Sequence, residues 1–282
     1  MLQGRQDAGI LRQQALHDGR GASTPLKRRR DLRILSRATK MQEGGRIKLH
    51  VLILTSGLLI AAVANAQPAV DIPSADGRLT HVAWKPSGKV ERWIVSLHGT
   101  RGSAKKDLEI WQASLGGRPI GILAIQWWLG QADAYLPPFE IYREIDFAAS
   151  KLDIKPGNAL LHGFSRGSAN LYAVAAIDSG RGRKLFSLYV ASSGGVALDY
   201  PPTRAILEGR LGPRPLADTR WVTACGERDP NPDRDGCPGM RRTGQWLEEQ
   251  GAVLLDAIED PQSGHGALQL NPRNAERLLN LF

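Results

Sequence analysis

From residue 79 onward, short uninterrupted apolar runs alternate with longer segments in which apolar side chains recur every third or fourth position. The runs at 79–84 and 89–97 are rich in β-formers and are separated by Pro86, Ser87 and Gly88, which predicts two strands joined as a hairpin. Further strands are expected at 120–128, at 159–161, at 185–191, at 220–225 and at 252–258. Helical spacing appears at 107–115, closed by Gly116 and Gly117, and at 139–152, where Phe139, Tyr142, Ile145, Ala149 and Leu152 fall on one face. It returns after Gly167 and again at 240–250 and 272–282, the last with a proline at its first turn. Strands alternating with helices in this way predict an α/β domain over 79–282, with a mostly parallel sheet covered by helices on both faces. The Gly- and Pro-rich stretch between Ala191 and Arg220 has room for only a short lid, and 67–78 reads as a linker.

Charge changes this picture at one end only. The chain carries a net +9, but 12 of its 37 Lys and Arg and 4 of its 28 Asp and Glu lie in residues 1–66, which leaves +1 for the rest. A basic surface for nucleic acid is therefore not expected of the body. Residues 41–66 place Arg46 and Lys48 before an apolar stretch that ends in Ala64-Asn65-Ala66, the pattern of a secretory signal peptide cut after Ala66. Its apolar stretch falls short of the ~20 residues that a membrane span needs. Met41 is then the expected start, and residues 1–40, with the run Lys27 to Arg30, are read as a disordered or mis-included upstream extension. The mature protein is expected to be secreted or periplasmic, with no span left after cleavage. In such an oxidising compartment Cys225 and Cys237, the two cysteines of the chain, form a plausible disulfide; two free thiols are the alternative.

The candidate chemistry centres on Gly163-Phe164-Ser165-Arg166-Gly167, between an apolar run and a helical segment. A serine pushed out at a sharp strand-to-helix turn draws neighbouring backbone together, so positions 163 and 167 require residues without a Cβ. A serine nucleophile also needs a base and an orienting acid. Asp229 follows the strand ending at Cys225, with Asp233 and Asp235 as alternatives on the same loop, and His265 lies in Ser263-Gly264-His265-Gly266 after the next strand. His98 and His162 are read as structural neighbours of their glycines and His81 as a surface residue.

With His98-Gly99 after the preceding strand, these four motifs in this order make residues 79–282 resemble the α/β-hydrolase superfamily, and within it a secreted serine esterase. The resemblance implies that Ser165 attacks an acyl carbon, His265 moves the proton and Asp229 orients the imidazole. It implies an oxyanion hole built from the backbone N–H groups of Arg166 and Thr100. The expected reaction is hydrolysis of a small-molecule or polymer ester through an acyl-enzyme; a peptidase or amidase with the same triad and a catalytically silent binding protein are the rivals. Trp127 and Trp128 end their strand on the catalytic edge and are candidates for substrate contact, with core as the plainer role for both. Arg101 and Arg166 are candidates for attracting an anionic substrate. No motif implies a metal or an organic cofactor.

Overall fold

The computed structural model describes residues 67–282 apart from position 183, so the signal-peptide and upstream readings lie outside the described residues. Eight strands form a single sheet: β1 (Val70–Pro73), β2 (Thr80–Trp84), β3 (Arg92–Leu97), β4 (Ile120–Ile125), β5 (Ala159–Phe164), β6 (Phe186–Ser192), β7 (Arg220–Gly226) and β8 (Val253–Asp260). Their spatial order is β1-β2-β4-β3-β5-β6-β7-β8. The strands β3 to β8 pair in parallel, whereas β1 with β2 and β2 with β4 are antiparallel.

Side chains alternate across this sheet, and each face has its own core. Val95, Leu123, Leu161, Tyr189 and Trp221 point to one face, against α2 (Pro138–Lys151), α3 (Arg166–Ser179), α4 (Pro201–Leu207) and α5 (Cys237–Glu249). Ile94, Ile122, Leu160, Leu188 and Val222 point to the other, against α1 (Ala104–Ser114), α6 (Ala267–Leu270) and α7 (Pro272–Leu281). Burial on both faces explains why the parallel strands read as continuous apolar runs rather than as alternating patterns.

The topology differs from the sequence reading at the amino-terminal edge. No hairpin joins the second and third strands, because β4 lies between them. Part of the expected linker is strand: β1 pairs with β2 from Val70↔Ala83 to Pro73↔Thr80. His81, expected at the surface, is fully buried. The Gln126 N–H donates to its Nδ1 at 3.1 Å, so its Nε2–H faces Glu144 Oε2, also at 3.1 Å. Burial lowers the His81 pKa against the pull of Glu144. On α2 the buried face is Ile141, Tyr142, Ile145, Ala148 and Ala149, while Phe139 stands 58 % exposed.

From β3 the chain moves outward to β4 and returns on the other side of β3 with β5. Such a reversal opens a crevice beyond the carboxyl ends of the central strands, where α/β sheets bind ligands. The loop after β3 and Ser165 after β5 both lie there. The stretch between β6 and β7 carries α4, a helix of 7 residues, and no larger lid.

Candidate active site

Ser165 occupies the turn between β5 and α3 with φ 55° and ψ −117°, an unfavourable conformation for any residue with a Cβ. Such strain costs of order 1–3 kcal/mol and persists only where the surroundings enforce it. Here the Ser165 N–H donates to Ser192 O on β6 at 2.8 Å, and three glycines close in. A Cβ at Gly163 would sit 2.7 Å from the backbone of Gly167, one at Gly167 would strike the carbonyl oxygen of Leu97 on β3, and one at Gly194 that of Ser165 itself. The expectation that 163 and 167 must be glycine is thus met by direct backbone contact. Gly194 was not singled out from the sequence, because it lies outside the motif.

His265 and Asp229 meet across the ends of β7 and β8. His265 Nδ1 lies 2.7 Å from Asp229 Oδ2; the carboxylate accepts, so Nδ1 carries a proton and Nε2 points away from this pair. The other oxygen of Asp229 accepts from Asn231 N–H at 2.9 Å, and its side chain is fully buried. Asp233, by contrast, is 89 % exposed and faces Arg242. Asp235 is buried close to His265, but the Arg234 guanidinium holds both of its oxygens at 3.0 and 2.9 Å, and Asn231 Nδ2 donates to one of them at 3.0 Å. Of the three aspartates on the loop, Asp229 is the one bonded to the imidazole.

That loop is spanned at its base by the Cys225–Cys237 disulfide, whose Cα atoms lie 5.1 Å apart. Cys225 belongs to β7 and Cys237 opens α5, so the crosslink closes the segment carrying Asp229, Asn231 and Asp235.

Ser165 and Thr100 line two clefts. The larger, about 620 Å³, is also lined by His265, Asp229, His98, Phe164, Asp107 and Gln269. The smaller, about 430 Å³, contains Arg166, Gly194, Gly195, Tyr200 and Asp235, but not His265. As the first residue of α3, Arg166 has no intrahelical acceptor for its N–H. The Thr100 N–H also has no acceptor among the described residues.

His98 and His162 hold positions in the core. His98 stacks on Trp127 with ring centroids 5.4 Å apart and donates from Nδ1 to Gly99 O at 2.8 Å. Burial pushes its imidazole down to about 4 and that of His162 to about 3. His162 Nδ1 receives Trp111 Nε1–H at 3.3 Å beside Ser96, whose hydroxyl donates to Asp107. Gln269 Nε2 donates to the other Asp107 oxygen at 3.0 Å, and desolvation raises the Asp107 carboxyl to about 6. Nothing in the sequence marks Asp107 or Gln269 as cleft residues; they read as ordinary helix positions.

Trp127 is fully buried and donates from Nε1 to His98 O at 3.2 Å, and Trp128 pairs with Tyr135 in an isolated bridge. Neither lines the two clefts at Ser165, but Trp127 lines the pocket of about 500 Å³ that adjoins the smaller one. Arg101 and Arg166 each approach Asp133 at 3.8 Å, so the charge of the two arginines is partly compensated. Donor atoms of Asp229, Asp235 and His265 lie within 4.8 Å of one another, as metal ligands would, but their bonds to each other and to Arg234 already engage them. A second such group, Glu227, Cys237 and Glu259, has its sulfur in the disulfide and both carboxylates on Arg241.

A mostly parallel eight-stranded sheet, with the strained serine after its fifth strand, defines an α/β-hydrolase fold. Solved structures similar to the chain include an esterase from Pyrobaculum calidifontis, at 15 % identity and a TM-score of 0.55 over 77 % of this chain and 85 % of that one. Another is one of two fungal esterases from Rhizomucor miehei, at 17 % identity and a TM-score of 0.56 over 77 % and 84 %. A third is acyl-protein thioesterase 2 of Zea mays, at 16 % identity and a TM-score of 0.52 over 71 % and 96 %. No protein-family model matches the chain, and no curated protein matches it significantly in sequence.

Proposed function

We propose that the protein is an exported serine hydrolase that cleaves carboxylic esters through an acyl-enzyme. The observation that carries this reading is the 2.7 Å contact between His265 Nδ1 and Asp229 Oδ2, in the same cleft as a serine held at a strained elbow. The similarity to esterases and a thioesterase supports hydrolysis of an acyl bond as the class of reaction.

Ser165 Oγ attacks the ester carbonyl carbon as its proton passes to His265 Nε2. Asp229 holds the Nδ1–H tautomer and stabilises the imidazolium that forms. The carbonyl oxygen becomes an oxyanion and receives the N–H groups of Arg166 and Thr100. Loss of one such donor costs ~3 kcal/mol of transition-state stabilisation. The proton on Nε2 then goes to the leaving oxygen as the carbon–oxygen bond breaks, and the alcohol departs. Water, deprotonated by the same nitrogen, attacks the acyl-enzyme; the Oγ–carbon bond breaks, Oγ recovers its proton, and the acid is released. The two buried half-cystines and the predicted signal peptide support an oxidising, exported setting. No helix among the described residues is long and apolar enough to cross a membrane.

The test is hydrolysis of p-nitrophenyl acetate and butyrate, with fluorophosphonate labelling alongside. Ser165→Ala and His265→Ala are expected to lose roughly a thousandfold or more in kcat/KM, and Ser165→Ala to lose the label. Equal rates in wild type and Ser165→Ala, or labelling at another residue, would overturn the assignment.

A further inference from the structure

The smaller cleft at Ser165 shares Arg166, Tyr200 and Pro201 with a neighbouring pocket of about 500 Å³, whose apolar wall includes Trp127, Tyr135, Phe139, Ala173, Ala205 and Leu211. The polar atoms around this pocket are engaged with one another. Asn170 donates to Arg166 O at 2.9 Å and accepts from the Tyr200 hydroxyl at 3.2 Å. The Arg166 guanidinium lies over the Tyr135 ring, 4.4 Å from its centroid, and approaches Asp133 at 3.8 Å. The Tyr135 hydroxyl accepts the Arg101 N–H at 2.8 Å. An occupant thus meets a mainly apolar surface, with the charges of Asp133 and Arg166 paired with each other at 3.8 Å.

Reaction geometry decides which half of an ester points this way. His265 hands its proton to the leaving oxygen, so the alcohol half lies in the cleft that His265 lines. The acyl half stays on Oγ and extends into the cleft that His265 does not line. We propose that the apolar pocket beyond Arg166 holds the far end of the acyl group, so that the preferred substrates carry a medium-length alkyl or phenyl-ended acyl chain. The inference rests on the assignment of Ser165 and His265 above. It also explains Phe139, a large aromatic left 58 % exposed on the first turn of α2, as one wall of a binding surface.

The experiment compares kcat/KM for p-nitrophenyl acetate and octanoate in the full chain, in Phe139→Ala and in Ala205→Trp. Octanoate is expected to be favoured by about tenfold or more, because the longer chain removes additional methylenes from water. Ala205→Trp, which fills the pocket, and Phe139→Ala, which removes its wall, should lower the octanoate-to-acetate ratio of kcat/KM several-fold. A chain-length profile identical in all three proteins would overturn the proposal. A second measurement needs no turnover: calorimetric titration of octanoate into Ser165→Ala, with and without Ala205→Trp. Binding that the tryptophan abolishes supports the pocket even where no ester is cleaved, a result that would sink the hydrolase reading alone. Absent binding, or binding indifferent to the tryptophan, would overturn the pocket while leaving that reading intact.

Discussion

Three backbone contacts hold Ser165 where it is, and each fails on addition of one carbon. A methyl group at Gly167 would meet the Leu97 carbonyl and force α3 away from β3. Gly167→Ala is therefore expected to destabilise the protein by about 1–3 kcal/mol, as overpacking does, and to lower esterase activity well beyond the change in folded fraction. Urea midpoints and p-nitrophenyl acetate rates on the same samples separate the two effects. Acid sensitivity also belongs to individual residues. Burial keeps His98 and His162 neutral down to about 4 and about 3, while Asp107 takes up its proton near 6. Between about pH 4.5 and 6 the unfolded chain therefore holds two more protons on these histidines, and the folded protein one more on Asp107. The net is one proton in favour of the unfolded state, so stability should fall by ~1.4 kcal/mol per pH unit on acidification, with the lowered pKa of His81 adding in the same sense. Urea midpoints across that range check the slope, and Asp107→Asn should make it roughly twice as steep. At this scale the sequence singles out Ser165 and His265 as candidates because their neighbours are distinctive glycines, and the structure brings both to one cleft. Choosing Asp229 over Asp235 was not, since the choice depends on which carboxylate Arg234 has already claimed.

Among the elements, the loop from β7 to α5 does most to couple stability to the site. Its disulfide joins residues 12 apart in sequence, and closing so short a loop contributes about 3 kcal/mol in the chain-entropy account. The double variant Cys225→Ala/Cys237→Ala should lose about that much stability, read from urea midpoints, and kcat for p-nitrophenyl butyrate should fall as Asp229 loses its anchorage. Both half-cystines are buried, at 2 % and 0 % exposure, so dithiothreitol without denaturant is expected to leave activity unchanged over minutes. The parallel strands were legible as elements because burial on both faces makes them uniformly apolar. The edge was harder to read. β1 is four residues with one buried side chain, which leaves almost no pattern, and the turn at Pro86-Ser87-Gly88 is compatible with a hairpin that the insertion of β4 excludes. The burial of His81 is hidden from the sequence for a related reason: its two partners, Gln126 and Glu144, come from segments 45 and 63 residues away.

Over the described residues, strand and helix alternation was enough to identify the fold class. The export proposal predicts Gln67 as the first residue of the mature protein, which mass spectrometry of material recovered from outside the cytoplasm would check; a mature start at Met1 or Met41 would reject cleavage after Ala66. What no stretch of sequence displays is the adjacency of the cavities, because their walls are assembled from loops that follow different strands. Ser165 is reached from two sides, and this sets the traffic through the site. On the proposed mechanism the alcohol would depart by one exit while the acyl group stayed lodged beyond Arg166, so that the first product would be free before the second is made. The vacated side then admits whatever nucleophile is most abundant. Added short alcohols should compete with water for the acyl-enzyme and yield new esters, whereas a free carboxylic acid, entering from the opposite side, should compete with substrate for the resting protein.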